Sequence, residues 1–245
     1  MSSLTKKAWV SPAVLLSLLL ATFSATTFAS TISKANGSIV LSSEQSGRPD
    51  LKTVNGRIEV GDGLEVGNVR TTNGGISLGE NIVAEEVRTT NGGIKIDSGS
   101  RVDSVRSTNG GVRLVNTDVD GDVQTTNGGL KITDGSEIGG SVVTTNGGVY
   151  LEKVTVGKDV RLTQGKTTLD NSVVKGDVII NESRGHNWSL FGWGKHKKPI
   201  VIIGPNSEVK GDIIAKQDIE LYIHESAKVG GVDGAEAEYF SGNRP

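Results

Sequence analysis

The chain has 245 residues, 34 of them Gly, no Cys, and only three Trp, three Tyr and four Phe, too few aromatics for an ordinary packed globule of this length. With 26 Lys and Arg against 28 Asp and Glu the formal charge is −2, which excludes a uniformly basic nucleic-acid binder and an acidic disordered tail. Without Cys, there is no disulfide to form in an oxidising compartment.

Residues 1–29 read as a signal peptide. Lys6 and Lys7 form a charged start, Val14 to Ala21 a short apolar run, and Thr27-Phe28-Ala29 a small-x-small site, so cleavage after Ala29 and export to the periplasm or surface of a bacterium are expected. No later apolar run is long enough for a transmembrane span, and no Cys follows the cleavage site to carry a lipid.

From Asn36 onward the sequence repeats. Thr-Asn-Gly-Gly begins at Thr72, Thr90, Thr108, Thr126 and Thr145, and Asn36-Gly37 and Asn55-Gly56 extend the series backwards. The steps between the Asn residues are 19, 18, 18, 18, 18 and 19. A fixed short period marks a solenoid. Each motif is preceded by a piece such as Val69 to Thr72 and followed by one such as Ile76 to Leu78, and a third apolar touch precedes the next Val. Asn-Gly is also a hairpin signal, but hairpins with strands this short cannot bury a face. Stacked turns can, with Val on Val and Ile on Ile about 4.8 Å apart. The expected fold is therefore all-β, a right-handed parallel β-helix of about ten coils with about 18 residues each. Asn-Gly-Gly is its corner, where Asn and Gly tolerate a left-handed backbone and stacked Asn side chains bond along the axis.

Val69, Val87, Val105, Val123, Val142, Val160 and Val178 hold one register, and Ile213 continues it after an extra stretch. Solenoid coils are thus expected over 30–182 and 200–232, with an insertion at 183–199 projecting from the Asn corner. The polar tail 233–245, with Tyr239 and Phe240, is expected to close the last coil as a cap. Only residues 30–35 would precede the first coil after cleavage, so self-association through this N-terminal coil is expected, giving small oligomers.

Alternation along a strand places Val69 and Thr71 inside and Arg70 and Thr72 outside. Aligning coils by the Asn then stacks Lys52, Arg70, Arg88 and Arg106 before the corner, and Lys95, Arg113 and Lys131 after it. Like charges one coil apart repel by about 1 kcal/mol per pair even in water, so these rows are candidates for binding an anionic envelope polymer or glycan. They also make a poor ice-binding plane. The insertion gathers Trp188, Phe191 and Trp193 with Arg184, Lys195, Lys197 and Lys198, a candidate partner-binding loop for sugar, membrane or protein surfaces, or else a cover for one side of the solenoid.

The Val-x-Thr-Thr-Asn-Gly-Gly-Ile-x-Leu coils resemble the adhesin-like β-strand repeat proteins of bacteria (the DUF4097 type). Asn206-Ser-Glu-Val-Lys-Gly-Asp-Ile-Ile-Ala, echoing Asn171-Ser-Val-Val-Lys-Gly-Asp-Val-Ile-Ile, is similar to the polymer-forming bactofilins. The first resemblance implies an envelope or surface protein, the second a scaffold that assembles without nucleotide. No enzymatic activity, cofactor or metal is expected; the alternative is a self-assembling filament subunit, and a polysaccharide-processing enzyme ranks below both. Asp120, Asp122, Asp134 and Asp177 read as turn residues and His186, His196 and His224 as exposed loop residues without metal spacing. The sequence has neither a nucleophile motif nor a phosphate loop.

Overall fold

A computed structural model describes residues 30–44, 47–183, 197–242 and 245. Its strands are parallel and stack coil upon coil, and one sheet contains eleven of them, one per turn. The solenoid therefore has one turn more than the repeat alone suggested.

Each coil has three faces. The first carries strands such as Val69–Asn73 and Val123–Asn127, the second strands such as Ile76–Leu78 and Leu130–Thr133, and the third short strands such as Asp118–Val119 and Glu137–Ile138. The first and third faces merge where a strand runs through their shared corner, as Val83–Asn91 and Arg101–Asn109 do. The expected register holds: Val69 pairs with Val87, Val87 with Val105, and Val178 with Ile213. Every second residue faces inward, so Val69, Thr71, Ile76, Leu78, Ile82 and Ala84 are all buried.

The Asn corner is held from both sides. Outside, each Asn Nδ2 donates to the Oδ1 of the Asn one coil earlier at 2.8 Å, from Asn55 on Asn36 to Asn146 on Asn127. Inside, the buried Thr89 Oγ1 donates to the Gly74 carbonyl at 2.8 Å, and Thr71, Ser107 and Thr125 repeat that bond. A buried hydroxyl thus satisfies a corner carbonyl that would otherwise lack a partner.

The reason for glycine at this corner is not the one expected. In the coils with the full motif Asn73, Asn91 and Asn109 are not left-handed; that region is occupied at another corner by Asn81, Asn116, Asp134, Lys153, Asn171 and Asn206, and at the Asn corner by Gly37 and Gly165, whose coils lack the full motif. The first Gly of each Gly-Gly pair is forced instead by close approach: a Cβ on Gly74, Gly92, Gly110, Gly128 or Gly147 would lie 1.9–2.2 Å from the carbonyl oxygen of the coil before.

Within the tail, Ala237–Phe240 joins the second sheet in register, pairing with Leu221 to His224, and Ala235 and Ala237 pack against the core. The insertion does leave from the Asn corner: Ile180 ends a first-face strand, Ile200 begins a second-face strand, and Gln164, which follows Asn146 in the corner stack, donates to Ser183 Oγ at 2.9 Å.

Candidate functional site

Both basic rows form as aligned. On the first face Lys52, Arg70, Arg88 and Arg106 stack in register and are exposed. Three of the four are engaged. Arg70 Nη2 lies 2.5 Å from Glu86 Oε2, Arg88 Nη1 4.0 Å from Glu86 Oε1, and Arg106 donates to Gln124 Oε1. Glu86, half-buried between the two guanidiniums, offsets the repulsion along this row.

On the second face Lys95, Arg113 and Lys131 stack in register and are exposed. Lys95 pairs with Asp97 at 2.7 Å. Lys131 Nζ sits 5.4 Å from the ring centre of Tyr150, the next residue in the row, a cation–π contact. Arg113 has no ion pair or hydrogen-bonded partner among the described residues.

Arg113 and Lys131 line a groove of about 1300 Å³ along the second face. Lys166 adds a third cation, and Tyr150, Thr168 and Ile202 continue its floor. Gly111, Gly129 and Gly148 form one rim, and Asp170, Asn171 and Asn206 the other. Alignment by the Asn corner singled out Arg113 and Lys131 but not Tyr150, Thr168 or Lys166. Yet Tyr150 stands at the same offset from its Gly pair as Lys131 does, so extending the row by one coil would have found it.

Of the insertion residues, Arg184, Trp188, Phe191, Trp193 and Lys195 lie outside the described residues, as do His186 and His196. Lys197 and Lys198 are exposed, and Lys198 Nζ is 3.6 Å from Asp218 Oδ2. His224 is not an exposed loop residue: it is 9% exposed, its Nδ1 accepts a hydrogen bond from the Ser226 amide at 3.1 Å, and its ring meets Phe240 edge-on at 5.1 Å.

Several turn carboxylates are occupied by the backbone. Asp122 Oδ1 accepts from the Ser141 amide at 2.8 Å, Asp159 Oδ1 from Asp177 at 3.0 Å, and Asp177 Oδ1 from Asp212 at 2.9 Å. The amide bond to Asp159, reinforced by Arg161, outweighs burial and holds its carboxyl below the usual range. Among the described residues no group of three or more His, Cys, Asp or Glu is placed to hold a metal, and no helix is long and apolar enough to cross a membrane.

Fold and site together define a β-solenoid with a cationic groove on one sheet face. No family model, curated protein or solved structure matches the chain.

Proposed function

We propose that the chain is an exported, non-enzymatic binding and scaffold protein of a bacterial envelope or surface, holding an anionic polymer against its second face. The leader-like pattern of residues 1–29 supports export, and the repeat grammar supports the adhesin-like resemblance. One observation carries the binding reading: Arg113, without an acidic partner among the described residues, stands in register with Lys131 in a groove that Lys166 also lines. The first-face row is the weaker candidate, since Arg70 and Arg88 share Glu86.

Retention on an immobilised polyanion tests this. The parent protein should elute earlier as salt rises, and Arg113→Glu with Lys131→Glu should abolish retention, whereas Arg70→Glu with Arg88→Glu should leave most of it. Salt-insensitive behaviour of the parent would overturn the reading.

A second reading, end-to-end self-assembly, is favoured by apolar side chains exposed on the last described coil. Tyr239 pairs with the inward-facing Ile223 and so occupies a core position of the last coil, yet it is 70% exposed. Val232, in register with the buried Ile213, is 38% exposed.

A further inference from the structure

The groove has more character than a row of charges, and its ligand class can be narrowed. Resting on the polyanion-binding reading above, we propose that it takes a linear acidic polysaccharide, a carboxylated sugar polymer lying along the solenoid axis.

Size is the first argument. About 1300 Å³ exceeds the usual range for a small-molecule site and suits several units of a chain. The groove also runs across successive coils, from Arg113 through Lys131, Tyr150 and Thr168 to Ile202, so a ligand with a repeat of its own meets an equivalent backbone at every step.

The second argument is the glycine rim. The second Gly of the corner pair is not forced by the fold in the middle coils: a Cβ on Gly93, Gly111 or Gly129 would lie 3.2–3.6 Å from its nearest neighbour, a squeeze of a few tenths of an ångström at most. The equivalent coil positions at the two ends of this row carry Arg57 and Lys166, both exposed. Bare glycine at Gly111 and Gly129 leaves a smooth shoulder beside the cations, over which a polymer can approach the backbone. Gly148 is tighter, at 2.9 Å from the Lys166 carbonyl oxygen.

The third argument is chemistry. Three cations, Arg113, Lys131 and Lys166, face the Asp170 carboxylate, Pro245 of the tail also lines the groove, and Glu152 stands nearby, accepting from the Tyr150 hydroxyl at 3.1 Å. That is a modest positive excess, matched to a polymer with spaced carboxylates rather than to the dense charge of a nucleic acid. Single-strand nucleic-acid grooves also rely on a series of aromatic platforms, and here the described lining has Tyr150 alone. One ring, the aliphatic Ile202, the Thr168 hydroxyl and the Asn171 and Asn206 amides suit a sugar, which presents an apolar ring face and hydroxyl edges together.

The test measures binding of the full chain to polygalacturonate, dextran sulfate, neutral dextran and a single-stranded oligodeoxynucleotide at one moderate salt concentration. Polygalacturonate should bind most tightly and neutral dextran not at all. Arg113→Ala should weaken polygalacturonate binding about tenfold, as expected for one lost charge-assisted contact. Gly129→Leu, which changes no charge, should weaken it about as much by filling the shoulder, with little change in melting temperature. Lys175→Ala, on the third face, should bind like the parent. Equal binding of DNA with the same losses in the variants would overturn the polysaccharide class, and equal binding of dextran sulfate would overturn the preference for carboxylated sugars, either result leaving polyanion binding intact. Parent-like affinity of both Arg113→Ala and Gly129→Leu would overturn the site. Absence of salt-sensitive binding to every polymer would overturn the underlying reading as well.

Discussion

Two adjacent glycines in one motif answer to different constraints. A Cβ on Gly92 would lie 2.0 Å from the Gly74 carbonyl oxygen, which a methyl cannot share, whereas one on Gly93 would lie 3.3 Å from the Gly111 oxygen. Gly92→Ala should therefore destabilise by about 3 kcal/mol or more, through the shift it forces on the corner. Gly93→Ala should stay within about 1 kcal/mol of the parent. Chemical denaturation of the pair checks both, and equal effects would show that close approach is not the reason for the first glycine. The inward Val columns are equally strict. Val105 is 1% exposed between Val87 and Val123, so Val105→Asp should cost about 4 kcal/mol or more, because a buried unpaired charge has no escape in a stacked core. Unaltered thermal stability in that variant would refute the inward assignment.

At the scale of the element, a short strand is held less by its own sequence than by the ladders at its ends. The Asn ladder ties one corner, and the aspartates that accept the next coil's amide tie another, with Asp159 and Asp177 successive steps. Because the Asp159 carboxyl is held below its ordinary range in the fold, its contribution is fully present above that range and fades as pH falls through the depressed value. Asp159→Asn keeps an acceptor but loses the charge. The melting-temperature gap between parent and variant should be widest near neutrality and close on the acid side. A gap independent of pH would show that the charge contributes nothing.

As a whole the molecule is a one-dimensional stack, so its ends and its grooves carry what its middle cannot. Ala237–Phe240 extends the second sheet as its last described strand, with a strand edge and the exposed Tyr239 at a core position. If end-to-end association operates, the parent should sediment as a concentration-dependent series and Tyr239→Asp should sediment as a monomer with unchanged circular dichroism. Identical sedimentation of the two would remove the self-assembly reading. The groove belongs to the same scale: it exists because successive coils place Arg113, Lys131 and Tyr150 in line beside bare glycine.

Much of this was legible in the sequence, because a period of 18 or 19 residues with Asn-Gly at each step allows few arrangements. The columns of Val, the inward Thr71 and both basic rows followed from strand alternation once the coils were aligned by the Asn, since a period of two leaves no freedom about which side a residue takes. What the chain could not announce depends on distances between coils. Whether Arg70 is engaged rests on Glu86, sixteen residues on yet one coil away in space; whether Arg113 is engaged rests on the groove around it. Whether glycine serves a left-handed turn or a close contact is decided by where the preceding carbonyl lies. The tail shows the same limit, for Ala237 to Phe240 shares no corner motif with the coils and is recruited by the open edge of the strand before it. Inward and outward are local properties of a strand, but pairing, crowding and the closing of an end are set only when one coil lies upon another.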